Sequence, residues 1–98
     1  IAHDALWVNY LRKGEYDLAY VEACSRKRYS TLFWDSLIRA STCGLMNKTE
    51  EGEKFVKSLL QLRPDFPANG RKLVNKFIKF QDISEKILTG LRISGLKI

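Results

Sequence analysis

Apolar residues recur along this chain at the three- and four-residue steps that are typical of amphipathic α-helices. The segment TEEGEKFVKSLLQLRPDF, residues 49–66, has the clearest pattern. One apolar stripe runs through it at Phe55, Val56, Leu59, Leu60 and Leu62. Thr49 can cap a helix here, and Pro64 ends it because proline lacks a backbone N–H and restricts the preceding residue. The pattern predicts a helix of about four turns that buries its stripe.

The same spacing predicts five further helices. Gly14 suits the end of the first helix, and Pro67 suits the first turn of the fifth. The apolar arc of the fifth helix is assigned to Leu73, Val74, Phe77, Ile78 and Phe80. Asp82, with Glu85 three residues later, resembles a capping box that opens the sixth helix.

Short turns join these helices, so we expect them to pair as hairpins within one domain, residues 1–98. The pairs are placed at about residues 2–27, 32–62 and 67–94, and the predicted fold class is all-α. The sixth helix is expected to be a polar-faced cap that closes the stack. Its exposed residues would be Lys86 and Arg92, and its buried residues Ile83, Ile87 and Leu91.

The turns between paired helices repeat along the chain. KGEYDLA, residues 13–19, aligns with MNKTEEG, residues 46–52, at an offset of 33 residues. The alignment pairs Gly14 with Asn47, and it places small residues, Ala19 and Gly52, where paired helices approach closely. This offset is close to the 34-residue period of the tetratricopeptide repeat, a helix-turn-helix unit.

Longer segments strengthen the likeness to this family. YLRKGEYDLAYVEA resembles the central part of a tetratricopeptide repeat, and NKTEEGEKFVKSLLQLRPDF resembles the second half of another. The segments FWDSLIRAS, LLQLRPDF and ISEKILTGLRISGL are similar to the carboxy-terminal end of such repeats in bacterial adenylate or guanylate cyclases and related regulators. The chain departs from the repeat at Arg26, where a small residue is usual, and at Thr49, where an aromatic residue is usual.

The resemblance implies a fragment of an α-solenoid that acts as a protein-interaction scaffold or regulatory segment of a larger bacterial signalling protein. The first helix of each pair would line a concave groove that binds a protein or peptide. Mapped groove positions are Asp4, Val8, Leu11 and Arg12, then Trp34, Leu37, Ile38 and Ser41, then Arg71, Lys72, Asn75 and Lys79. Partner-binding residues are expected at Arg12, Trp34, Leu37, Ser41, Arg71, Lys72, Asn75 and Lys79.

The formal net charge of +6 is concentrated in the second half of the chain, where ten Lys or Arg face five acids. Residues 71–79 carry Arg71, Lys72, Lys76 and Lys79 with no acid among them. A solvated helix face explains such a run most simply, and a docking surface for an acidic partner is the sharper interpretation. A basic nucleic-acid-binding domain is the alternative function, although no recognition-helix motif or set of stacking aromatics accompanies the charge.

Candidate chemistry adds little to this picture. His3 is the single histidine, and Cys24 and Cys43 fit no zinc or redox spacing, so neither an enzyme, a cofactor nor a metal site is expected. No apolar run approaches the roughly 18 residues of a membrane span, which favours a soluble, cytoplasmic protein. Because the chain starts at Ile1, we expect a segment of a longer protein, whose N-terminal face packs on further repeats or on another copy.

Overall fold

The computed structural model describes residues 2–25, 33–78 and 80–97, and within those ranges the chain contains helices and no strand. The helices are α1 (Ala2–Lys13), α2 (Tyr16–Ser25), α3 (Phe33–Leu45), α4 (Thr49–Leu62), α5 (Phe66–Phe77) and α6 (Gln81–Ile93). The prediction of an all-α fold with six helices is confirmed. The predicted first pair ends at residues 26–27, which lie outside the described residues. Arg26, where the chain departs from the repeat, is one of them.

The α1–α2 and α3–α4 turns have the same backbone structure. Gly14 and Asn47 both adopt a left-handed conformation, with φ of 75° and 62°. Each donates its N–H to the carbonyl three residues back, at 3.1 Å in the first turn and 3.0 Å in the second. The following residue, Glu15 or Lys48, donates to the carbonyl five residues back, at 2.9 and 2.8 Å. This pair of bonds is the Schellman arrangement that ends a helix, and it occurs twice at the predicted 33-residue offset.

The α5–α6 connection is different. The chain leaves α5 in an extended conformation at Ile78, with φ of −110° and ψ of 114°. It enters α6 from Phe80, which is also extended, with φ of −101° and ψ of 116°. Neither residue adopts the left-handed conformation of the first two turns. The third pair is therefore joined by a different kind of turn.

Helix α6 contacts α1, α3 and α4 in addition to α5. Its apolar residues Ile83, Ile87, Leu88 and Leu91 are fully buried, as expected for three of them. In a linear stack of repeats each unit contacts only its neighbours, whereas contact between α6 and α1 joins the third pair to the first. Helix α6 is therefore a central helix of the core, and not the terminal cap expected from the sequence.

Small residues allow α6 to lie directly against α3. A methyl group on Gly44 would overlap the carbonyl oxygen of Gly90, and a methyl group on Gly90 would overlap the carbonyl oxygen of Ser41. Just beyond α6, the buried Ser94 hydroxyl donates a hydrogen bond to the Ala40 carbonyl at 2.7 Å. Close backbone approach with a satisfied polar contact explains why α6 packs here.

Helix α1 is attached to the same core by a buried hydrogen bond. The indole N–H of Trp7 donates to the hydroxyl oxygen of Thr42 in α3 at 2.9 Å, and both side chains are fully buried. That hydroxyl in turn donates to the Ile38 carbonyl at 2.7 Å.

The longest of the described helices, α4, has 14 residues. None of the described helices has the length and apolar character needed to cross a bilayer.

Candidate partner-binding surface

Several predicted groove residues lie inside the protein. Leu37 and Ser41 are fully buried, and the backbone of Ser41 lies directly against Gly90 of α6. Three further mapped positions, Val8, Leu11 and Ile38, are also buried. The expectation that these residues face a partner is corrected, because the chain's own helices cover them. The side chains of Asp4 and Trp34, and residue Lys79, lie outside the described part of the chain.

The other predicted residues are exposed and lie around the α5–α6 connection. We name this region the α5–α6 surface and define it by Arg12, Arg71, Lys72, Asn75, Lys76, Phe80, Asp82 and Glu85. Arg12 comes from α1, and the remaining residues come from α5, α6 and the turn between them. Two of the predicted residues, Arg12 and Arg71, are tied to α6 by ion pairs with its acids. The other two, Lys72 and Asn75, are exposed on α5.

Phe80 is the residue of this surface that the sequence pattern misplaced. Assigned to the buried arc of α5, it instead precedes α6 and is 55% exposed. The guanidinium carbon of Arg12 lies 4.8 Å from the centroid of its ring. Arg12 Nε also lies 3.4 Å from Asp82 Oδ2, so an ion pair holds the cation over the aromatic face. The extended backbone at Ile78, which interrupts the helical period, explains the outward position of the ring.

The positive charge of the surface resides mainly on two lysines. Arg71 is paired with Glu85 at 2.8 Å, and Glu85 also accepts a hydrogen bond from Gln81 at 3.1 Å. Lys72 and Lys76 are exposed, and within the described residues neither is in an ion pair. Because they are four residues apart on α5, they lie one turn apart on the same face. Residues 66–77 contain three basic residues and no acid, so nothing within α5 itself offsets these charges.

A second exposed region, the α2 surface, lies across the α1–α2 turn. We define it by Glu15, Asp17, Leu18 and Val21, together with an adjoining cleft of about 430 Å³. The cleft is lined by Gly14, Glu15, Tyr16, Asp17, Leu18 and Met46. Leu18 and Val21 are 46% and 58% exposed, although Ala19 and Ala23 on the other side of α2 are fully buried. Helix α2 therefore has apolar residues on both its exposed and its buried side. Its sequence of small and aromatic residues does not indicate which side is buried.

The two surfaces meet where α6 touches the N-terminal pair. Lys86 of α6 donates a hydrogen bond to the Tyr16 hydroxyl at 2.8 Å, and its ammonium lies 5.1 Å from the Tyr16 ring centroid. Four residues earlier in α6, Asp82 contacts Arg12. Arg12 and Gly14 are two residues apart, so the α5–α6 surface and the cleft approach each other at the α1–α2 turn.

Tyr20 of α2 and Cys43 of α3 are titratable groups whose surroundings raise their pKa values. The Tyr20 hydroxyl donates to Glu51 at 2.5 Å, and this hydrogen bond raises the pKa of Tyr20 well above its ordinary value. Burial raises the pKa of the Cys43 thiol to about 11, which keeps it protonated at neutral pH. Cys24 is an exposed free thiol. Among the residues that the structure describes, no cluster of His, Cys, Asp or Glu could hold a metal ion.

Comparisons with known proteins do not assign the chain to a family. No protein-family model, no curated protein and no solved structure matches the chain. The tetratricopeptide assignment therefore stays a prediction from the quoted motifs. A function has to be argued from the two exposed surfaces.

Proposed function

We propose that this chain is a protein-interaction domain that binds a partner protein or peptide through the α5–α6 surface. The supporting observation is Phe80, an aromatic side chain 55% exposed and stacked beneath the guanidinium of Arg12. The free lysines of α5 lie close to it in the chain, at Lys72 and Lys76. A fitting partner carries carboxylates beside an apolar side chain.

Phe80 has the physical properties of an interface anchor. Full burial of an exposed phenylalanine supplies about 1.5–3 kcal/mol. Phe80 is 55% exposed, so a partner that covers it gains about half of that stabilisation. Aromatic residues and arginine are enriched where interfaces concentrate their binding energy. Arg12 already fixes one face of the ring, so binding has less side-chain freedom to remove.

The finer assignment, a tetratricopeptide-like segment of a larger bacterial regulatory protein, is part of the same proposal. Support comes from the paired Schellman turns at Gly14 and Asn47. Phe33 and Phe66, also 33 residues apart, begin α3 and α5 and place their ring centroids 6.2 Å apart. These features favour a repeated helix-turn-helix unit in the first two pairs, to which α6 adds its own contacts. A cytoplasmic location stays a prediction from the sequence.

Nucleic-acid binding is the second candidate, favoured by the exposed, unpaired Lys72 and Lys76. Each neutralised phosphate contributes about −0.9 to the slope of log affinity against log salt for duplex DNA. Arg12 and Arg71 are already paired with acids of the same surface, which leaves few groups for phosphates. The carboxylates of Asp82 and Glu85 would also repel a phosphate backbone. A protein partner is therefore the better fit.

Selection from a displayed random-peptide library tests the proposal. We expect the enriched peptides to combine acidic residues with a large apolar residue. Phe80→Ala should weaken their binding by about thirtyfold or more, because truncating an interface anchor typically costs about 2 kcal/mol or more. The double variant K72E/K76E should abolish binding.

The matched control is K54E/K57E, which makes the same charge change at two exposed lysines of α4. Its peptide affinity should equal that of the wild type. Equal losses in both lysine pairs would point to a general charge effect and contradict the proposed site. Tight binding of a single-stranded oligonucleotide, steeply weakened by salt and lost in K72E/K76E, would favour the second candidate instead.

A further inference from the structure

We propose that the partner of the α5–α6 surface is the α2 surface of a second copy of this chain, so that the protein forms a two-fold symmetric dimer. This inference rests on the proposed function, because it names the partner of the same site. The occupant is identified by charge, by exposed apolar area and by the relative position of the two surfaces. Each feature can be read from described residues.

The two surfaces carry opposite charge. The α2 surface contains two acids and no Lys or Arg, and the exposed Lys13 lies just before it, whereas residues 66–77 contain three basic residues and no acid. On the α2 surface, Glu15 and Asp17 are exposed, and on the α5–α6 surface, Lys72 and Lys76 are exposed. Complementary charges across an interface favour the correct pairing and disfavour wrong partners. The chain therefore contains both halves of a complementary contact.

Each surface also offers apolar area that the other can cover. Leu18 and Val21 are three residues apart on α2, so they form one exposed ridge. The open cleft of about 430 Å³ beside Leu18 is lined by Tyr16 and Met46, which gives an aromatic ring an apolar surface to lie on. Phe80 of a second copy supplies that ring. The contact would bury exposed apolar side chains on both copies at once.

The adjacency of the surfaces favours a closed dimer over an open chain of copies. In a two-fold interface, residue i contacts residue j while j contacts i, which requires both patches on one side of the subunit. The contacts Arg12–Asp82 and Lys86–Tyr16 join α6 to the α1–α2 turn, beside which the cleft and its acidic residues lie. A symmetric pair of copies that forms both contacts at once is closed, whereas a pair that forms one contact leaves the other surfaces open to further copies.

Charge-swap variants measured by analytical ultracentrifugation test this inference. The wild type should have a mass of twice 11.3 kDa at high concentration and dissociate on dilution. E15K/D17K and K72E/K76E should each weaken dimerisation by at least about tenfold, since each places like charges across both contacts. Their equimolar mixture should recover dimers, as should the quadruple variant that carries all four changes.

Control K54E/K57E should remain dimeric, and circular dichroism should show the same helix content in every variant. If a variant fails to fold, the salt dependence of the wild-type dimer still decides, because a charge-paired interface must weaken as salt is added. A wild type that stays monomeric at millimolar concentration, or a mixture that stays monomeric, would overturn the dimer. If the dimer is overturned but selected acidic peptides still bind through Phe80, the proposed function stands. If the peptides bind equally well to Phe80→Ala, the proposed function is overturned as well.

Discussion

The first two helix connections and the third differ in one backbone feature, and the difference extends to the whole packing. At Gly14 and Asn47 a left-handed residue with Schellman hydrogen bonds reverses the chain. At Ile78 and Phe80 the chain is extended. Where the turn repeats, successive helices pack as neighbouring hairpins; where it is absent, α6 crosses onto α3 and reaches α1.

This comparison indicates that the backbone conformation of the connection, and not the pattern of apolar residues in the helices, determines whether a pair packs as the first two pairs do. The helices of all three pairs are of similar length, 10 to 14 residues. Among the described residues, the third pair alone has an extended joint with an exposed aromatic residue, and its second helix reaches α1. The same joint places Phe80 on the surface and α6 in the core.

The largest expected effect comes from truncating α6 in the core. Leu88→Ala should lower the free energy of unfolding by about 3 kcal/mol, because it removes buried apolar area and leaves a cavity among α6 and its neighbours. Urea denaturation followed by circular dichroism measures the loss. Ile93→Ala, at a position 40% exposed on the same helix, is the control and should cost much less. Equal effects of the two changes would contradict a central α6.

A smaller loss is expected where α6 crosses α3. Gly90→Ala should lower stability by about 2 kcal/mol, since a methyl group would overlap the Ser41 backbone and force the helices apart. This loss opposes the gain of about 1 kcal/mol that alanine normally brings to a helix interior. Thr89→Ala, at the exposed neighbouring position, should be neutral or stabilising. A Gly90→Ala variant as stable as the wild type would show that the close contact does not determine the packing.

The left-handed turns predict a still smaller change. Gly14→Ala should cost about 1 kcal/mol, because an L-residue with a Cβ is strained at φ of 75°. Asn47→Gly should change stability by less than about 0.5 kcal/mol, since asparagine already tolerates this conformation and glycine adds unfolded-state entropy. Thermal denaturation of both variants measures the difference. If Asn47→Gly lowered stability as much as Gly14→Ala, the left-handed conformation would not be what determines stability at residue 47.

The smallest effect concerns the α4–α5 connection. Arg63 donates two hydrogen bonds to the Asp65 carboxylate, at 2.9 and 3.0 Å, and Asn69 donates one at 3.0 Å. These bonds, chiefly those from Arg63, hold the pKa of Asp65 below its ordinary 3.8. A carboxylate with a lowered folded pKa stabilises the protein above its unfolded pKa, and this contribution is lost as the pH falls through the folded pKa.

The variant Asp65→Asn isolates that contribution. The melting temperature of the wild type should exceed that of the variant slightly near neutral pH, and the difference should shrink as the pH falls below about 4. Because the group is exposed, solvent screening keeps the effect small. A difference that stays constant from neutral to acidic pH would show that ionisation of the Asp65 carboxylate is not its source.

The helices could be read from the sequence because each carries its own period. The predicted helix through residues 49–62 coincides with α4, and the offset between Gly14 and Asn47 reappears as two equivalent turns. Periodicity tells which face of a helix is buried, but it does not tell what covers that face. Sequence alone therefore left the position of α6 to the assumption of a regular stack.

The candidate site was predicted only in part for the same reason. Arg12, Arg71, Lys72 and Asn75 are exposed, as a binding role requires, whereas Leu37 and Ser41 are buried. Their burial depends on α6 and on the absence of side chains at Gly44 and Gly90, a pairing across 46 residues that no local pattern reveals. Phe80 was missed because its three-residue spacing from Phe77 suggested a continuing helix.

The contacts of α6 with the N-terminal pair also set an order of events during synthesis. Arg12 and Asp82, like Tyr16 and Lys86, are separated by 70 residues. At a translation rate of about 5–20 residues per second, the nascent α1–α2 hairpin waits roughly 4 to 14 seconds before α6 exists to cover it. During that interval the parts of α1 and α2 that α6 later contacts face solvent or the ribosome surface. The newly made hairpin is accordingly the stage at which this chain is most in need of a chaperone.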